Sequence, residues 1–298
     1  MRVTNKMTAD LITQDLYRAQ QLLLDAQVKV ATGKRINKPS DDPIGMGKVL
    51  DYRKIISTID QYNENIVHGK NQLEFTSTIL EEIEALLNQA KNWALEFGSG
   101  SDMSASAALI EVKSLYDEIM DLANTKIGNN YMFGGHVTNS APFSRDADYD
   151  ANYTGDNGDI TVLVGNDVQV KINANGEDIF AVDGAGGGTD AFGALERLIN
   201  ALGSNDSAAA FAEVANLESA IDQVQGISTE TSVYYGRMKS SENFLIKYKS
   251  NIEDMLYETE NMDPAQAVVE MQLQEAAYIT CLETASRIIQ PSLVDFIK

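Results

Sequence analysis

One cysteine, Cys281, stands alone among 298 residues, so the chain forms no disulfide within itself and no all-cysteine metal site. The only histidines, His68 and His136, exclude a histidine-rich centre. Most metalloenzyme classes drop out. Prolines number five, and a chain so poor in helix breakers with 44% apolar residues accommodates unusually long helices. Basic side chains are outnumbered 23 to 44, for a formal charge of −21, a poor match to nucleic-acid phosphates or an anionic membrane surface. No stretch approaches about 20 consecutive apolar residues, so no segment reads as a membrane span. Near the start the longest apolar run is Leu22-Leu23-Leu24, too short for the core of a cleavable secretory signal. The expectation is a chain that either stays in the cytoplasm or leaves it with no cleaved peptide.

Spacing is what the chain has in abundance. Ala9, Ile12, Leu16, Ala19, Leu23, Ala26 and Val30 alternate steps of three and four, the seam of a coiled coil. Three of the seven are alanine, so a partner can come close while each position buries little area. Gly33 to Ser40 interrupts this pattern, and Asp42-Pro43 supplies an N-cap and first-turn proline for a second helix. There Ile59, Ile66, Leu73, Leu80, Leu87 and Ala94 recur every seven residues. Pro43 to Phe97 would extend for about 80 Å at about 1.5 Å per residue. The stretch Gly98 to Ser101 ends that helix, and Leu109, Val112, Tyr116, Ile119 and Ala123 mark a third.

Composition then changes. Residues 128–193 hold 12 of the 21 glycines, and residues 141–206 carry 3 basic against 12 acidic side chains, which separates this region from the helices on either side. Residues 160–164 and 168–172, with Gly165-Asn166-Asp167 between them, predict a β-hairpin. Helix returns near Ala191 to Leu202, then in a second long helix whose seam includes Leu217, Ile221, Val224, Met238, Leu245 and Ile252. Asp263-Pro264 repeats the earlier capping device and opens a last helix. Val268, Met271, Tyr278, Leu282, Ala285 and Ile289 are expected on one face, with Pro291 kinking or restarting it. The fold class is mainly α with a small β insert. The two long helices should pack antiparallel, with the N- and C-terminal helices paired. Residues 1–38 are net +4 and residues 253–298 net −7, which favours that pairing.

Sites of chemistry are scarce. Asp146, Asp148, Asp150 and Asn152 alternate like calcium ligands, but an EF-hand needs Gly and Glu where Ala151 and Asn157 stand. The loop reads as solvated acid. Cys281 lies on an apolar helical face and reads as a small hydrophobe, Trp93 as packing, and His68 and His136 as surface residues. Gly184 to Gly188 lacks the Lys-Ser/Thr of a phosphate loop and reads as a hinge. No nucleophile, base and oxyanion donor come together. No cofactor, metal or catalytic residue is expected.

Both ends carry longer motifs. Gly33-Lys-Arg-Ile-Asn-Lys-Pro-Ser-Asp-Asp-Pro-Ile-Gly45 resembles the N-terminal signature of the flagellin superfamily. The segment from Glu275 to Phe296, with Arg287-Ile-Ile-Gln-Pro-Ser-Leu-Val-Asp inside it, resembles the terminal helix of that superfamily's hook-associated branch, and Asn130-Tyr-Met-Phe-Gly-Gly135 resembles its exit from the helical region. The resemblance implies a structural protein passed through the flagellar type III export apparatus, with an export chaperone, and assembled as a ring between hook and filament. Its partners would be further copies, hook-associated protein 1 and flagellin. Residues 1–42 with 262–298 would form an inner-tube domain, 43–130 with 191–261 a long-helix domain, and 131–190 a β-rich outer domain. Subunit packing would fall to Ile12, Leu16, Leu23, Val30, Tyr278, Leu282, Ala285 and Ile289. Arg35, Asn37, Ser40, Asp41, Asp42 and Pro43 match the joint motif, where turns and caps account for much of their work. A filament flagellin is the nearest rival reading. A type III needle-tip or translocator protein shares long helices without these motifs, and an autolysin-like enzyme would need catalytic carboxylates in the insert.

Overall fold

In the structure, a computed structural model describing residues 5–100, 104–182 and 188–294, the seven-residue spacing becomes buried seams. Four long helices carry it: α1 (Asn5–Thr32), α2 (Pro43–Gly98), α6 (Ser207–Glu260) and α7 (Pro264–Val294). Between α2 and α6 lie α3 (Ala105–Ala123), three two-stranded antiparallel hairpins, α4 (Gly176–Phe180) and α5 (Ala191–Gly203). Contacts divide the chain into two compact units. One takes the residues up to Thr58 and from Lys247 onward, and the other is Ile59–Ile246.

In the terminal unit α1 packs against α7. The pair runs antiparallel, as the Lys34–Asn261 bridge and the Lys29–Glu270 ion pair at 3.3 Å require. On α1 the expected seam is the shielded side: Ala26 is buried and Ile12, Leu16, Ala19, Leu23 and Val30 are half-buried. On α7 the shielded line is Ala267, Met271, Tyr278, Cys281 and Ala285. Val268 and Leu282, expected on that face, point outward. The cause is a helix apolar on several sides, which leaves the choice of face to its partner. The helix continues through Pro291 to Val294 without the restart that was one of the two expected outcomes, a kink being the other; a proline in a last turn removes only one backbone donor.

In the second unit α2 and α6 are antiparallel, joined by Lys70–Glu242 at 2.8 Å, Gln225–Glu84 at 2.6 Å and Lys91–Glu218 at 3.7 Å. Ile59, Ile66, Leu73, Leu80, Leu87 and Ala94 are all buried. Each larger member of that row contributes about 1.5–3 kcal/mol relative to exposure. Gly69 lies where the helices meet the insert, since a Cβ there would come within 3.0 Å of both the Met238 sulfur and the Ile172 side chain. The hairpin read from residues 160–172 is present as β5 (Thr161–Gly165) and β6 (Val168–Lys171), with Asp167 left-handed at φ 56°. The insert has an aromatic core: Phe143 stands 5.0 Å from Phe180 and 5.6 Å from Phe192 between ring centroids, and Tyr116 is 5.3 Å from Phe192.

β3 (Phe143–Arg145) and β4 (Ala151–Tyr153) flank the acidic loop. One Asp146 carboxylate oxygen accepts the amides of Asp148 and Asp150 at 2.9 and 3.0 Å, so this carboxylate shapes a turn. Among the described residues no group of three His, Cys, Asp or Glu side chains is placed to hold a metal ion. Of the Gly184 to Gly188 stretch, residues 184–187 lie outside the described residues.

Candidate assembly site

The residues matching the joint motif come together between the end of α1 and the start of α2. Gly33 ends α1 by taking φ +70°, a conformation glycine adopts without a Cβ penalty. The chain then runs beside the end of α6. Arg35 and Ile36 donate their amides to the Glu260 carbonyl at 2.7 and 3.3 Å, and Met262 donates back to the Gly33 carbonyl at 3.0 Å. Ile36 is buried against Gly45, where a Cβ would meet the Ile36 Cδ1 at 2.5 Å and run into the Asp42 carboxylate. Any larger residue at position 45 would have to push aside the Ile36 side chain and the Asp42 carboxylate.

Each acid of the motif has a separate task. One oxygen of Asp41 accepts the amides of Asn37 and Lys38, both at 3.0 Å, and closes the turn. Asp42 caps α2: its Oδ1 accepts the Gly45 amide at 2.9 Å, and its Oδ2 takes the Arg35 Nη1 at 3.2 Å. The Gly45 amide, and after it the Arg35 guanidinium, hold the Asp42 carboxyl below the usual carboxylate range. Arg35 also donates from Nη2 to the Thr259 carbonyl at 3.0 Å, tying the motif to α6. Asn37 bonds the Lys34 carbonyl at 3.0 Å. Ser40 and Pro43 are exposed, and Pro43 occupies the first helical position, where a missing N–H costs nothing.

Sequence reasoning missed the centre of this joint. Glu260 is buried, and its carboxylate meets Lys34 Nζ at 2.7 Å and Arg53 Nη2 at 2.6 Å. Nothing local marks it, because its partners lie more than 200 positions away.

The expected packing residues divide. Ile12, Leu16, Leu23, Val30 and Tyr278 are half-buried and Ala285 is buried along the α1–α7 pair, whereas Leu282 is 41% exposed. The side chain of Ile289 lies outside the described residues. Beyond the seam the pair is still apolar: Leu11, Tyr17, Leu24 and Val28 on α1, and Val269, Leu273 and Ile279 on α7, face outward. The folded chain leaves these apolar side chains uncovered.

Residues 3–138 match the family described as the bacterial flagellin N-terminal helical region. That match spans a little under half of the chain. Along most of its length the chain is similar to flagellar hook-associated protein 3 of Escherichia coli K12, 24% identical over 275 residues that span 88% of this chain and 82% of that one. A shorter stretch, 34% of this chain and 31% of the other, is 34% identical to the flagellar filament 41 kDa core protein of Borreliella burgdorferi. The crystal structure of flagellar hook-associated protein 3 from Legionella pneumophila superposes with a TM-score of 0.62 at 14% identity, covering 70% of this chain and 97% of that one. That last likeness concerns the fold.

Proposed function

We propose that this chain is a structural adaptor of the bacterial flagellum, the subunit of a ring that joins hook to filament. The observation that carries the reading is similarity to hook-associated protein 3 over 88% of the chain and 82% of the relative. The filament reading has less support, since its match covers about a third of the chain. In the reading we favour, one end of the ring mates with hook-associated protein 1 and the other templates flagellin. The terminal helices lie innermost, the long helices form the next shell, and the acidic insert faces solvent. The subunit leaves the cell through the flagellar export apparatus with a chaperone and no cleaved peptide.

Work of this kind needs shape and adhesion rather than chemistry. The unspent apolar faces of α1 and α7 support it, because they are surfaces that assembly would cover. The closed hydrogen-bonding of the joint supports it too, by fixing how the terminal pair leaves the long helices. Deleting the gene in its host tests the proposal directly. Hooks should remain, filaments should be missing, and flagellin should accumulate in the medium. Normal filaments in the deletion strain would overturn the assignment.

A further inference from the structure

Asparagine is followed by glycine twice in the chain, at Asn157-Gly158 and Asn175-Gly176. Such a pair is the one most prone to close on itself, because glycine has no side chain to hinder its amide nitrogen as it approaches the asparagine side-chain carbon. The insert holds its two pairs in opposite ways. Asn175, directly before α4, is 3% exposed. Its side-chain oxygen accepts the Asn173 Nδ2 at 2.9 Å, its own Nδ2 donates to Asp178 at 3.3 Å, and the Gly176 amide donates to the Phe133 carbonyl at 2.9 Å. Both groups that would react are occupied and buried.

Asn157 is exposed, between β4 and β5 and outside any helix or strand. Among the described residues it makes no hydrogen bond. The Gly158 amide donates to the Asp156 Oδ1 at 3.2 Å, an oxygen that also accepts the His136 amide at 2.5 Å, so the bond that would have to break is the longer of two on one acceptor. On either side of Asn157 the chain is tied. Asp156 donates its amide to the Gly134 carbonyl at 3.2 Å, and its carbonyl accepts the Tyr153 hydroxyl at 3.1 Å. Asn173 donates to the Gly158 carbonyl and accepts the Ile160 amide, both at 2.8 Å.

We propose that Asn157 is a site of spontaneous deamidation in the folded chain, and that the fold protects Asn175 from the same reaction. The Gly158 nitrogen gives its proton to solvent and bonds to the Asn157 Cγ. The Cγ–Nδ2 bond breaks, and the side-chain nitrogen leaves as ammonia. Water then opens the cyclic imide: attack at Cγ leaves aspartate, and attack at the main-chain carbonyl leaves isoaspartate, whose main chain is one atom longer. Either product adds a negative charge between Asp156 and Asp159. The longer chain has little slack for the added atom, since Asp156 is tied to Gly134 and Tyr153 and Gly158 is tied to Asn173. Isoaspartate therefore loosens the clasp that Asn173 makes at the entry to β5. Loss of ammonia is not reversed in dilute solution, so the converted fraction records how long the chain has stood in water.

Ageing the full folded chain in neutral buffer made with heavy-oxygen water, then digesting it in ordinary water, marks only the conversions that occur during ageing. Trypsin separates the two sites because it cuts after Lys171. Mass spectrometry should find labelled aspartate and isoaspartate at 157. Conversion at 175 should be at least about tenfold slower, since that segment must open first and an opening of about 1.4 kcal/mol already costs this factor. In guanidinium chloride, with the chain unfolded, the two sites should convert at similar rates. A folded chain that keeps Asn157 intact while the unfolded chain converts overturns the proposal. So do equal rates at both sites in the folded chain, or aspartate at 157 without isoaspartate. Hydrogen exchange reads the consequence: the Ile160 amide should exchange faster in aged than in fresh wild type, and not in an Asn157→Gln chain aged beside it. Equal exchange in aged and fresh wild type overturns the loosened clasp.

Discussion

The Glu260 carboxylate lies 2.6 Å from the Arg53 guanidinium, an ion pair that pins the end of α6 to the first turns of α2. Lys34 reaches the same carboxylate from the joint. Burial is one-sided: the Glu260 side chain is 8% exposed, while both cations keep access to water. Removing a cation therefore leaves the acid a second partner, whereas removing the acid takes away the group on which three segments converge.

Glu260→Ala should accordingly destabilise the terminal unit by about 2 kcal/mol, the range for charge-assisted bonds to a buried group. Arg53→Ala should cost less, because Lys34 still satisfies the carboxylate. Urea unfolding followed by circular dichroism ranks the two. Equal midpoints for wild type and Glu260→Ala would contradict the role given to this acid.

Acid should loosen the same joint. The folded Asp42 carboxyl sits below the usual carboxylate range, held there chiefly by the Gly45 amide and then by Arg35. A depressed acid contributes stability above its unfolded pKa of about 3.9 and loses it as pH falls through the lower folded value. Asp42→Asn keeps an oxygen for the cap but carries no charge for Arg35. Wild type should therefore melt above the Asn variant at pH 6, and the difference should shrink below about pH 4. Thermal melts across that range measure the gap, and a gap that widens toward acid has the wrong sign.

What the sequence disclosed about this joint follows from the range of each interaction. Asp42-Pro43 and Asp263-Pro264 were readable as helix starts because a cap bonds within three residues, and both do: Asp42 to the Gly45 amide and Asp263 to the Ala265 amide. The row from Ile59 to Ala94 was readable because seven-residue spacing is a property of one helix. Glu260 was not, since its burial depends on Lys34 and Arg53 arriving from elsewhere. On α7 the pattern misled in a particular way. Leu282 and Cys281 are neighbours, either could have faced α1, and hydrophobicity favours leucine. The small thiol is nevertheless the half-buried one, beside a helix whose seam is rich in alanine and allows a close approach.

That exchange separates folding from assembly by experiment. Leu23, half-buried on the α1 seam, should cost about 1–2 kcal/mol on truncation to alanine, below the 2–5 kcal/mol of a fully buried leucine. Leu273 and Leu282 are 66% and 41% exposed on α7, so Leu273→Ser with Leu282→Ser should change the melting of the isolated chain by less than about 1 kcal/mol. If those faces are covered by other subunits, the double variant should still be exported yet support few filaments. Their apolar area is then lost where copies meet rather than where the monomer folds. Normal swimming by the double variant would show that these two side chains do not contribute to the assembled tube; the seam's own effect on melting is read separately from Leu23→Ala.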